Sequence, residues 1–248
     1  MTRDEILRLP SMPALGPSYP HGPYRFIDRE YCIISYESDP AAIRAALPEP
    51  LEPDPEPVVN FEFIRMPDSS GFGDYTECGA VVPCRYHGEA VNYCIAMYLD
   101  DEAPIAAGRE IWGFPKKYAS PKVEVVADTL TGKLVYAGQP VAIGTMAYKH
   151  ERLSHDPDKA AKALTKTQVN LKLIPGVDGN MAIAQLVAYN LEEVEVKGAW
   201  TGPARLHLIP HVNAPVADLP VRRIRGGFHY IADLTLPYGR VLHDYLKA

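Results

Sequence analysis

Proline sets the tightest limit on what this chain can fold into. Twenty-four of its 248 residues are proline, about a tenth, against roughly 5% in ordinary domains. Proline fixes φ and removes a backbone donor, so helix interiors tolerate it badly. Spread along the whole length, it predicts many short elements with sharp turns and excludes long helices and coiled coils. The hydrophobic fraction is an ordinary 47%, and a chain this long can bury a full core without metal or disulfide staples. No run of 18 apolar residues occurs, so no spanning helix is expected. The opening MTRDEILRLPSMPALG carries Asp4 and Glu5 and no continuous apolar stretch, which does not read as a secretory signal. A formal charge of -6 without a basic run disfavours nucleic acid as a partner.

Residues 1–23 read as a proline-punctuated arm wrapping a surface, and residues 24–248 as one domain with no repeat or linker. YRFIDREYCIISY reads as a strand that alternates only in part, with Phe26, Tyr31, Ile33 and Ser35 grouped and Ile27, Arg29 and Cys32 less regular. DPAAIRAAL predicts a short helix with Asp39 as N-cap and Pro40 at its first position. VVNFEFIRM predicts a strand with Phe61 and Phe63 on one face and Asn60, Glu62 and Ile64 on the other. Two long strands follow, joined around Gly88. EAPIAAGREIWG has helical composition with Gly113 as its stop. VEVVAD, KLVYAG and PVAIGTMAYK are further strand text. SHDPDKAAKALTK predicts an amphipathic helix capped by Asp156, and YGRVLHDYLKA a closing helix. Ten or so strand runs with few short helices predict a β-rich barrel or closed sandwich with helices outside.

Cys32, Cys78, Cys84 and Cys94 form no C-x-x-C pair. They read as small buried hydrophobes, reduced in a cytosol. His207 and His211 are four apart, but Pro210 and the flanking strand text keep them off a common helix face. Nucleotide-binding, nucleophile-elbow and zinc-protease motifs are missing. GFGD, with Asp68, Asp74 and Glu77 nearby, fits neither a phosphate cradle nor a calcium loop.

What remains is Lys116-Lys117 in IWGFPKKYASP. Adjacent lysines are ordinarily a solvated surface, but here Trp112, Phe114 and Tyr118 surround the pair and Pro115 fixes the chain before it. An amine beside that much apolar surface is a candidate for desolvation, which lowers a lysine pKa.

GREIWGFPKKYASPK, GPYRFIDREY, FEF, GDYTECG, MYLDDEAPIAAGRE, LKLIPGVDG and AWTGPARLHL, in order from about residue 20 to the C-terminus, strongly resemble the acetoacetate decarboxylase family. The resemblance implies a lysine Schiff-base enzyme that converts acetoacetate to acetone and carbon dioxide, without a cofactor. It also implies a cone-like antiparallel β-barrel with flanking short helices, assembled into a large homo-oligomer, a dodecamer in the family. Carried over, the Schiff-base lysine is Lys116 and its neighbouring cation Lys117. The active-site arginine is Arg29, the two glutamates are Glu62 and Glu77, and the pocket methionine is Met97. Phe114 stands where some relatives carry tyrosine, which leaves that wall apolar.

A β-keto acid loses carbon dioxide readily when a protonated imine accepts the electrons left behind. At a pKa of ~10.4 only about one lysine in 2,500 is neutral at pH 7, and reaching ~7 takes roughly 4.6 kcal/mol. Acetoacetate decarboxylase is itself a standard example of such a lysine, activated by desolvation or a neighbouring cation. Adjacent residues of an extended chain face opposite ways, so Lys117 is expected outside the pocket. At ~8 Å and an effective dielectric of ~20 its repulsion supplies only about 2 kcal/mol. Burial against Phe114 and Met97 is therefore expected to dominate, against an opposing helix dipole if a helix ends at Gly113. Arg29 is expected to meet the substrate carboxylate or position the glutamates, Glu62 to hold Arg29, and Glu77 to contact substrate or steer a proton. Two alternatives stand beside this: a Schiff-base aldolase-dehydratase acting on pyruvate and an aldehyde, and a non-enzymatic barrel carrying a small ligand.

Overall fold

Strand text becomes strand almost throughout the computed structural model, which describes residues 1–153 and 157–247. In chain order come α1 (Arg3–Ile6), β1 (Tyr24–Glu37), α2 (Pro40–Ala46), β2 (Leu51–Pro53), β3 (Val58–Met66), β4 (Asp68–Ser69), β5 (Tyr75–Tyr86) and β6 (Glu89–Leu99). There follow α3 (Glu102–Ala107), a π-helical turn (Gly108–Trp112), β7 (Lys116–Tyr118), β8 (Ser120–Val126), β9 (Thr129–Tyr136) and β10 (Gln139–Ala147). The last third holds β11 (Glu151–Arg152), α4 (Pro157–Thr165), β12 (Gln168–Pro175), β13 (Met181–Tyr189), β14 (Glu192–Gly202), β15 (Ala204–Leu208), β16 (Arg223–Leu236) and β17 (Arg240–Asp244). No described helix is long and apolar enough to cross a membrane.

Thirteen strands form one sheet along the path β11-β14-β16-β1-β3-β5-β6-β12-β13-β17, with β2, β4 and β7 beside it. The other four, ordered β15-β10-β9-β8, form a second sheet. Neither sheet's strand path returns to its start among the described residues, so neither sheet alone closes the expected barrel. The second sheet instead packs across the first. Phe63 of β3 fills the contact, and a Cβ built at Gly132 of β9 would lie 2.2 Å from its ring. Pairing is not wholly antiparallel either, since β6 runs parallel to both β7 and β12.

The alternation in VVNFEFIRM falls as expected: Phe61 and Phe63 are fully buried in one core cluster, and Ile64 belongs to a second. The irregular alternation of β1 has a cause. Phe26 pairs with Leu234 and Arg29 with Ala232, so β1 holds one extra residue, and Asp28 has φ 54°. All four cysteines are free and buried, and burial pushes the Cys32 and Cys84 thiols up to about 12. His207 lies on β15 and His211 beyond it, against the Tyr136 ring.

Three other expectations change. The closing segment is a strand, not a helix: Val241 pairs with Val187 and Asp244 with Gln185. A short segment gains little from helix formation alone, whereas β13 offers an edge of unpaired backbone groups. Asp39 precedes α2 as expected but makes no side-chain cap; its carboxylate takes two 2.7 Å hydrogen bonds from Arg222. The arm is more than a surface wrap, since Tyr19 is buried and donates to Glu110 at 2.5 Å. The expected cap Asp156 lies outside the described residues.

Candidate active site

Adjacent strands β1, β3, β5, β6 and β7 turn one face toward a cavity of about 590 Å³. Their registers place Ile33, Glu62, Gly79, Met97 and Lys116 in a single cross-strand row. Glu77 is two residues from Gly79 on β5 and so shares that face. Arg29 reaches it from β1.

The approach to Lys116 is built locally. Asp101 caps α3 by accepting from the Ala103 N–H at 2.9 Å. The helix then widens into the π-turn, a form that recurs at functional sites. Gly113 ends it at φ 75°, as the sequence signals. The turn is held by Phe114 N–H on the Gly108 carbonyl at 3.0 Å and by the Lys172 ammonium on the Ile111 carbonyl at 3.1 Å. Arg109 donates to the Lys116 carbonyl at 3.1 Å. The lysine stem lies over Gly108, where a built Cβ would be 2.6 Å from Cδ and 2.8 Å from Cε.

Lys116 is 6% exposed and Glu77 3%. Nζ lies 3.1 Å from Glu77 Oε2, and Glu77 Oε1 lies 3.9 Å from Arg29 Nη2. Nζ is also 5.0 Å from the Phe114 ring centroid and 6.0 Å from that of Tyr75. The Arg29 guanidinium sits over Tyr31 at 4.8 Å and Phe26 at 5.2 Å. Burial opposes its charge, but Tyr31 and Glu77 outweigh this and hold its pKa above the ordinary value. Glu62 differs from Glu77: burial pushes its carboxyl up to about 7, opposed by Arg29 and assisted by Glu77.

Six expected residues, Arg29, Glu62, Glu77, Met97, Phe114 and Lys116, line this one cavity. Lys117 does not. Its ammonium lies on the opposite face, donating to the Asn213 carbonyl, 5.1 Å from the Tyr136 ring centroid. Among the described residues the carboxylate within 4 Å of the guanidinium is Glu77, whereas the expected partner Glu62 feels Arg29 only at longer range.

The cavity includes residues not anticipated as site residues, notably Tyr31, Tyr75, Cys94 and Tyr189. Tyr31 and Tyr75 sit two residues from Arg29 and Glu77, so strand alternation could have found them. Tyr189 comes from distant β13 and carried no local signal. Burial raises the Tyr31 phenol to about 12 and those of Tyr75 and Tyr189 well above their ordinary value. All three remain neutral donors. The Tyr31 hydroxyl has no hydrogen-bond partner among the described residues.

A β-rich scaffold enclosing a buried lysine, paired with a carboxylate under aromatic walls, suits a class of enzymes that act on small carbonyl compounds through an amine. Residues 9–246 match the family model described as acetoacetate decarboxylase. An acetoacetate decarboxylase of Burkholderia vietnamiensis is 55% identical over 236 residues, covering 95% of each chain. The crystal structure of an acetoacetate decarboxylase from Legionella pneumophila superposes with a TM-score of 0.92 at 53% identity, covering 96% of this chain and 94% of that one. An enduracididine biosynthesis enzyme, MppR, bound to the condensation product of pyruvate and imidazole 4-carboxaldehyde, shares the fold at 20% identity and TM-score 0.81, covering 95% and 97%. The chain belongs to the acetoacetate decarboxylase family.

Proposed function

We propose that this enzyme decarboxylates acetoacetate through an imine on Lys116. The observation that carries the proposal is the buried Lys116 amine, with Glu77 and Arg29 beside it at the cavity wall. The neutral amine adds to the ketone carbon, one proton is taken up and water leaves, giving a protonated imine; the final hydrolysis returns that proton. The bond to the carboxylate then breaks, carbon dioxide departs, and its electron pair is held as an enamine. Protonation of the terminal carbon and hydrolysis release acetone and free the amine.

Lys116 is buried against Phe114 and Met97, with Glu77 at 3.1 Å and Lys117 outside the cavity. Arg29 receives the substrate carboxylate, and the Tyr31 hydroxyl offers a further donor. Glu62, whose carboxyl titrates at about 7, is suited to hold the proton that the enamine takes. Glu77 holds the Lys116 and Arg29 side chains in place.

The proposal extends to the whole molecule. The domain spans residues 24–248, with residues 1–23 as an arm. The two packed sheets serve as the cone-like barrel of the family resemblance. A large homo-oligomer would cover exposed apolar residues such as Leu15, Leu173 and Val177, and the cytosol is retained from the sequence reading.

Borohydride added with acetoacetate should fix one adduct, on Lys116, as read by peptide mass mapping. A clean adduct on Lys117 would overturn the assignment. Carbon dioxide release from acetoacetate, set against absorbance growth with pyruvate plus an aldehyde, separates decarboxylation from aldol condensation.

A further inference from the structure

The register of β1 against β16 slips at one place. Three steps on β1, from Phe26 to Arg29, match two on β16, from Leu234 to Ala232. The extra residue reverses which face each later side chain takes. Phe26 lines the cavity before the slip, and Arg29, Tyr31 and Ile33 line it afterwards. Without the bulge the alternation would turn Asp28, Glu30 and Cys32 inward, Asp28 falling opposite Ala232. A carboxylate would then stand where the guanidinium does. Glu30 instead points the other way, to His229 Nε2 at 2.8 Å.

Something must hold the bulge, because Asp28 sits at φ 54°, where a side chain other than glycine is uncommon. Asp233 lies opposite it on β16. Its Oδ1 accepts the Asp28 N–H at 2.8 Å. Lys197 Nζ bridges the two carboxylates, 2.6 Å from Asp28 Oδ1 and 2.6 Å from Asp233 Oδ1. Lys197 is itself at a register slip, between Val196 and Gly198 of β14. Asp233 is the buried member, its side chain 11% exposed against 56% for Asp28. Burial alone would raise its carboxyl, but the Asp28 N–H and Lys197 hold it below the ordinary value.

We infer that Asp233 is a positioning residue: by capturing the Asp28 N–H and Lys197 it fixes the bulge that turns Arg29 into the cavity. Its kinetic consequence rests on the decarboxylase reading, whereas the geometry does not. β-Bulges beside active sites commonly re-aim a side chain in this way.

The test is a cycle of Asp233→Ala, Asp233→Asn and Arg29→Ala, assayed on acetoacetate. Asp233→Ala should lower kcat/KM by about 10-fold or more through misplacement of Arg29. Asp233→Asn keeps an oxygen for the Asp28 N–H and should stay within about threefold. In the Arg29→Ala background Asp233→Ala should add nothing, since both remove one function. Losses that multiply there would overturn the inference. Should Asp233→Ala fail to fold, Lys197→Met runs the same cycle with a smaller loss that also vanishes without Arg29. A crystal structure of the Asp233→Ala or Lys197→Met variant gives a readout independent of turnover. Arg29 displaced from the cavity supports the inference, and Arg29 unmoved sinks it. Wild-type protein that neither releases carbon dioxide nor traps at Lys116 would refute the decarboxylase reading alone.

Discussion

Gly108 and the stem of Lys116 share a space with room for one side chain. The glycine is in ordinary right-handed helical conformation, continuous with α3, so alanine there meets no backbone strain. Its methyl would instead press on Lys116, 2.6 Å from Cδ, 2.8 Å from Cε and 3.2 Å from Nζ. A flexible stem can move aside cheaply, but the amine then leaves its place beside Glu77. Gly108→Ala should therefore melt within a few degrees of wild type and lose about 100-fold in kcat/KM, the scale of a 1 Å misplacement. Wild-type turnover by the alanine variant would show that Lys116 has spare room. The G-R-E preceding the lysine pair was visible in the sequence, but the reason for its glycine was not. That reason lies in a contact made when the chain doubles back through Gly113.

Strand β7 is only three residues long, yet it separates the lysine pair. Pairing parallel to β6, it sets Lys116 beside Met97 and Lys117 beside Tyr98, on opposite faces of one sheet. Lys117→Met should keep its rate optimum near neutrality, with the acid limb moving by less than about one unit, because the removed charge lies outside the cavity. It should also lose about 0.5–1 kcal/mol of stability with the Tyr136 contact. A displacement of three or more units in the pH–rate profile would make the neighbouring charge dominant instead. Alternation made this much legible beforehand, as it did the two faces of β3 and the turn at Gly88. It failed where the period is broken or the partner is remote. The bulge at Asp28 scrambles the pattern of β1, because one inserted residue moves every later side chain to the other face. Strand β17 is decided by the free edge of β13, and the two-sheet arrangement by contacts such as Phe63 against Gly132. Neither leaves a mark in the local sequence.

The molecule as a whole carries the cost of its site in its response to pH. Glu62 titrates at about 7 in the folded chain because burial disfavours its charge, whereas an unfolded chain gives an ordinary value of ~4.3. The folded state thus binds this proton more tightly. The resulting stability is fully present below the unfolded value and is lost as pH rises through about 7. Glu37, Asp39, Asp233 and Asp244 act with the opposite sign. Their carboxyls are held below ordinary values, so their stabilisation is present above the unfolded values and fades in acid. A single pH–stability curve mixes both groups, but a comparison with Glu62→Gln cancels the second. Glutamine fills nearly the same volume and does not titrate. The melting temperature of Glu62→Gln relative to wild type should rise by several degrees between pH 5 and pH 8, because only wild type must bury a charge at the upper end. Parallel melting curves across that window would mean that Glu62 titrates at its ordinary value, and the proposal that it gives the enamine its proton near neutrality would fall with it.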